Sequence, residues 1–152
     1  MRNTVIGLFS LFLCAAIVSA AGGQTSVKKF LTPDGKRPGG LFASGVMIDK
    51  TVYIAGKGDY RPDEEIAGKT RNCLNEVRKT LQTAGLDLNN VVHSFCYLED
   101  PAYFPEFNKV YSEFFPKNPP ARTTLGTPNV PGDSRIEITC IAYSDLQEIK
   151  PI

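Results

Sequence analysis

Tryptophan is absent from this 152-residue chain, histidine occurs once, and cysteine occurs four times. A single imidazole, His93, excludes a multi-histidine metal centre and is the one residue on which a serine–histidine–carboxylate triad could be built. His93 alternates with Val92 and Ser94 on a β-prone run, which favours a structural role. The cysteines show no C-x-x-C spacing, so neither a zinc site nor a dithiol redox motif is indicated. An excess of one charge is lacking too: 17 basic residues face 16 acidic ones. That balance, without a basic patch interleaved with aromatics, makes a poor partner for nucleic acid or an anionic membrane.

Long apolar runs are missing except at the N-terminus, where Val5–Val18 follows Arg2 and precedes the small residues Ser19, Ala20 and Ala21. The run is short for a bilayer span, and its flanks are those of a secretory signal peptide over residues 1–21. Cleavage after Ala20 or Ala21 is expected, with an uncleaved anchor as the alternative. Cleavage removes Arg2 and no acid, so 17 basic and 16 acidic residues become 16 and 16. The mature protein is then exported, periplasmic or secreted, with no stable membrane association. Cys14 leaves with the leader. Cys73, Cys96 and Cys140 read as core thiols, although an oxidising compartment leaves a disulfide between two of them open.

Residues 22–40 are polar and rich in Gly, Pro and Lys, a flexible leader into a domain over 41–152. Gly45–Ile48 and Thr51–Ala55 are β-prone runs around Asp49-Lys50, a hairpin pattern. Gly56-Lys57-Gly58-Asp59 breaks the second strand, either as a plain turn or as a backbone cradle for an anion. From Asp63 to Ala84, Ile66, Cys73, Leu74, Val77, Leu81 and Ala84 recur at steps of three and four, predicting an amphipathic helix that Gly85 stops. Val91–Leu98 reads as an inner strand. Asp100-Pro101 caps a second helix whose apolar face is Phe104, Phe107, Tyr111, Phe114 and Phe115, with polar Asn108 one step off it. Arg122–Thr127 and Ser134–Tyr143 close the chain as strands.

This order predicts an α+β fold, one mixed sheet with both helices on one face. The other face needs cover, since alternate positions include Ile136, Ile138, Cys140 and Ile141, and self-association is the expected consequence. If the last two strands form an antiparallel hairpin, Arg122 lies about opposite Glu137. That pair is either a surface salt bridge or a site in which a guanidinium fork grips a carboxylate while a glutamate handles a proton or a water.

The segments Pro119-Pro120-Ala121-Arg122-Thr123-Thr124 and Arg135–Tyr143, the preceding Asn108–Phe115 helix and the Ala43–Asp59 hairpin together resemble the RidA/YjgF family of imine deaminases, from about Leu41 to Tyr143. The resemblance implies a chorismate-mutase-like fold and a homotrimer with ligand clefts between subunits. It implies cofactor-independent, metal-free hydrolysis of 2-imino or enamine acids to 2-oxo acids and ammonia. On this likeness Arg122 binds the substrate carboxylate and Glu137 positions water, with Thr124, Gly56 and Asn108 beside the ligand. Two positions depart from the pattern: Phe42 stands where a tyrosine is expected and Ala55 where a serine is, each removing a hydroxyl. Lys57 replaces a glutamine, which would make the cleft more cationic. A non-catalytic member that binds small organic acids is the alternative, and a ribonuclease is disfavoured by the balanced charge.

Overall fold

A computed structural model describes residues 25–146 except Arg37 and Asp63. The apolar leader over 1–21 therefore lies outside the described residues. Six strands form one sheet: β1 (Lys28–Leu31), β2 (Gly45–Ile48), β3 (Thr51–Gly58), β4 (Val91–Leu98), β5 (Ala121–Gly126) and β6 (Ile136–Tyr143). Two helices, α1 (Ile66–Gln82) and α2 (Phe104–Phe114), cover one face. The spatial order is β1-β2-β3-β6-β4-β5, antiparallel throughout except for the parallel pair β4 and β5.

Local signals act where expected. Asp49 takes a left-handed φ of 52° and turns β2 into β3, pairing Ile48 with Thr51. Asp100 accepts from Ala102 N at 2.8 Å, starting a short 3-10 turn at Pro101 before α2 begins with Pro105 in its first turn. The α1 stripe of Ile66, Cys73, Leu74, Val77 and Leu81 is buried against Val52, Ile54, Ile136, Ile138 and Cys140. Glu106 of α2 accepts from Ala67 N at 2.9 Å, placing an acid at the positive end of α1.

Three sequence expectations change. Within the 22–40 leader, Lys28–Leu31 adds an edge strand to β2, and Leu31 is buried. Ile136, Ile138 and Cys140 do not form the uncovered face, since they are buried beneath the helices, whereas Ile141 points the other way with Glu137 and Thr139. The uncovered face instead carries Phe30, Tyr53 and Leu125, each about half exposed.

The last two strands also do not pair with each other. A strand–helix–strand unit places β5 parallel to β4, as such crossovers do. Strand β6, buried at every second position, inserts between β3 and β4, where both of its edges are satisfied. Strand β5, rich in threonine and only partly buried, takes the edge.

Candidate functional site

The strand order places Arg122 and Glu137 apart. Arg122 is in register with Ser94, whose side chain lies under α2, so Arg122 belongs to the helix-covered face. Glu137 is in register with Tyr97 on β4 and Gly58 on β3, on the opposite face. The expected cross-strand pairing of Arg122 with Glu137 therefore does not occur within one chain. Each residue instead lines a cleft of its own.

The Arg122 cleft lies between β5 and α2, with Asn108, Tyr111, Phe115, Pro119 and Pro120 around it and a volume of about 400 Å³. The guanidinium carbon is 4.6 Å from the Tyr111 ring centroid, 5.5 Å from Phe107 and 5.6 Å from Phe104. The aromatic stripe of α2 thus serves both as core and as a cage that faces a cation with π density. Tyr111 is fixed by a 2.6 Å hydrogen bond with Ser94 Oγ, and burial pushes its hydroxyl up to about 12. Among the described residues Arg122 has no carboxylate partner. Asn108 Oδ1 and Thr124 Oγ1 are buried in the same region without a hydrogen-bond partner, and the weakly bonding Cys96 thiol lies near Thr124.

The second cleft lies on the open face. Its volume is about 350 Å³ and its lining includes Gly56, Tyr97, Val130, Pro131, Glu137 and Thr139. A β-bulge sets it up, because the β3 register slips between Ile54 and Lys57 opposite Thr139. The bulge brings Gly56 under the Glu137 carboxylate so closely that a Cβ there would stand 2.1 Å from Oε1. The glycine is required by that approach rather than by a left-handed backbone.

The remaining expected residues fall elsewhere. Phe42 is 76% exposed in the loop before β2 and lines neither cleft. Ala55 sits in the bulge, its N–H donating to Ser44 O at 3.1 Å, and also lines neither. Lys57 does not make the Glu137 cleft more cationic, because it turns to the helix-covered face and donates to Ser44 O at 3.1 Å. Burial there lowers its pKa. His93 stacks on Phe95 at 4.1 Å and makes a 3.3 Å contact with Thr123 Oγ1, consistent with a structural role. Cys73, Cys96 and Cys140 are free and buried, and burial pushes their thiols up to about 12, 11 and 12. Among the described residues no group of three His, Cys, Asp or Glu side chains could hold a metal ion.

Sequence reasoning missed Tyr97 and the Val130-Pro131 wall. Alternation along β4 puts Tyr97 on the face opposite Cys96 and Leu98, but its neighbour Glu137 is known only once β6 is placed between β3 and β4.

A six-stranded mixed sheet with two helices on one face, an uncommitted arginine and a glutamate laid over a glycine define an α+β protein of the L-PSP fold class. The family profile described as Endoribonuclease L-PSP matches residues 35–144, and the chain belongs to that family, which includes the RidA/YjgF proteins. A RutC family protein from Saccharolobus solfataricus is 37% identical over 117 residues, covering 73% of this chain and 93% of the relative. The human 2-iminobutanoate/2-iminopropanoate deaminase is 32% identical over 115 residues, covering 70% of this chain and 84% of the relative. The crystal structure of yeast Mmf1 superposes with a TM-score of 0.71 at 25% identity, covering 78% of this chain and all of that one (100%).

Proposed function

We propose that this protein hydrolyses reactive 2-imino or enamine acids to 2-oxo acids and ammonia without a cofactor, as an exported homotrimer. The observation that carries this reading is Arg122, an arginine with no carboxylate partner among the described residues, caged by three aromatic rings beside two unpartnered buried oxygens. A guanidinium so placed is available to a ligand carboxylate in bidentate geometry. The human relative, a 2-iminobutanoate/2-iminopropanoate deaminase, supplies the substrate class.

Because Arg122 and Glu137 occupy opposite faces of one sheet, a single active site takes them from two copies. The apolar open face, with Phe30, Tyr53 and Leu125 exposed, gives those copies a surface to share. Arg122 of one subunit holds the carboxylate while Glu137 of another holds a water against the imine carbon. Glu137 accepts a proton as the water oxygen bonds to carbon, and the imine nitrogen is protonated. The resulting carbinolamine then expels ammonia, leaving the 2-oxo acid. Water supplies the oxygen and two protons, and no oxidation occurs.

Generating the imine with an L-amino-acid oxidase and trapping it with semicarbazide measures the rate directly. Accelerated loss that disappears in Arg122→Ala is expected, and no acceleration over blank refutes the reading. Mixing Arg122→Ala with Glu137→Gln subunits by refolding should restore part of the activity, since some clefts then combine two intact residues. Export predicts a mature N-terminus at Ala21 or Gly22, read by N-terminal sequencing.

A second reading, a non-catalytic binder of small organic acids, rests on Phe42 and Ala55, which lack the hydroxyls expected from the family pattern. It predicts ligand binding that depends on Arg122 and is indifferent to Glu137→Gln.

A further inference from the structure

We infer that the open-face cleft holds a subsite for a bulky, aromatic side chain on the 2-imino acid, with Tyr97 as its specificity-determining residue. The inference rests on the proposed placement of the reacting carbon at Glu137. Tyr97 is in register with Glu137 across the β4–β6 pair, which puts their Cβ atoms about 5 Å apart on the same face. A side chain leaving a carbon held at Glu137 therefore meets the Tyr97 ring first.

Opposite Tyr97, the Thr127–Pro131 segment builds the second wall. Val130 is buried and Pro131 begins a short 3-10 turn, while Asn129 at a φ of 61° folds the segment over the cleft. The two apolar surfaces, one aromatic and one aliphatic, suit a flat ring between them. Thr127, Asn129 and Thr139 also line the cleft. Gly56 contributes no side chain, and the Glu137 carboxylate occupies the place a Cβ there would take.

The size of the cleft separates substrate classes. It measures about 350 Å³, whereas a cavity of about 150 Å³ suffices for benzene. A three- or four-carbon imino acid and its attacking water leave much of the space unfilled. A phenyl group on the same head occupies it. Tyr97 has no hydrogen-bond partner for its hydroxyl among the described residues, so the ring is not committed to another contact.

The test compares two probes that differ by one phenyl group, 2-oxobutanoate and 2-oxo-4-phenylbutanoate, by titration calorimetry on the full mature protein. Binding of the phenyl probe about tenfold tighter is expected, with the preference reduced at least fivefold in Tyr97→Ala and largely kept in Tyr97→Phe. The corresponding imines, made from the parent amino acids by an oxidase, should show the same ratio in kcat/KM. Equal affinity for the two probes, or a Tyr97→Ala variant that weakens both alike, overturns the subsite, and imine hydrolysis can still stand in that case. A Tyr97-dependent preference in a protein that hydrolyses no imine keeps the subsite and removes the hydrolase reading.

Discussion

Replacing Gly56 by alanine tests the site at its tightest point. The added Cβ would lie 2.1 Å from Glu137 Oε1, 2.5 Å from Cδ and 3.0 Å from Cγ. Ordinary carbon–oxygen contact is well beyond 3 Å, so the carboxylate must move by about 1 Å. A displacement of that size from a productive geometry costs about 10²-fold in rate. The backbone itself accepts alanine, since Gly56 is not among the residues with positive φ. The side chain that must move is only half-buried, so the stability change stays near 1 kcal/mol or below, a shift of roughly 4 °C at most in the unfolding midpoint. The measurement is kcat/KM by imine trapping, paired with a thermal melt. Combining Gly56→Ala with Glu137→Gln should add little to the loss from Glu137→Gln alone, because both act through one carboxylate. A folded Gly56→Ala protein with wild-type kcat/KM would refute the assignment of Glu137 as the group that holds water.

Three other expectations follow from the same geometry. Tyr111→Leu removes the ring nearest the guanidinium, 4.6 Å away; a loss of about 1–2 kcal/mol in carboxylate binding raises KM roughly tenfold, and Tyr111→Phe keeps most of the binding because the ring remains. Cys73, Cys96 and Cys140 should stay unlabelled by iodoacetamide at pH 8 in the native protein and label fully in denaturant, since burial pushes all three thiols to about 11 or above. Asp59 is held below the usual carboxylate range by hydrogen bonds from Arg61, despite its burial. Its folded pKa is depressed, so its contribution to stability is present above about pH 4 and is lost as pH falls through the folded value. Asp59→Asn should therefore flatten the acid limb of a stability–pH curve, and an unchanged limb would count against that role.

Sequence alone determined most of the elements and the alternation of side chains along them, but not strand β1 or which face of β6 the helices cover. Steps of three and four apolar residues defined α1, Asp49-Lys50 marked the first hairpin, and Asp100 marked the start of the second helical segment. Those signals are local: side-chain direction follows from helical or strand period, and caps act within a few residues. Arg122 and Glu137 were legible as candidates as well, because they stand in motifs specific enough to carry a family likeness.

Only the tertiary structure decided how Arg122 and Glu137 relate. Strand pairing is non-local, so nothing in Ala121–Gly126 or Ile136–Tyr143 states which neighbour each takes. The crossover through α2 aligned β5 parallel to β4, and β6 took the interior position that satisfies both of its edges. That single choice turned a presumed hairpin pair into residues on opposite faces of the sheet. It set Arg122 against the aromatic stripe of α2, brought Tyr97 beside Glu137, and turned Lys57 to the helix-covered face. The bulge at Ala55-Gly56 is decided in the same way, by the approach of Glu137 from a strand distant in sequence.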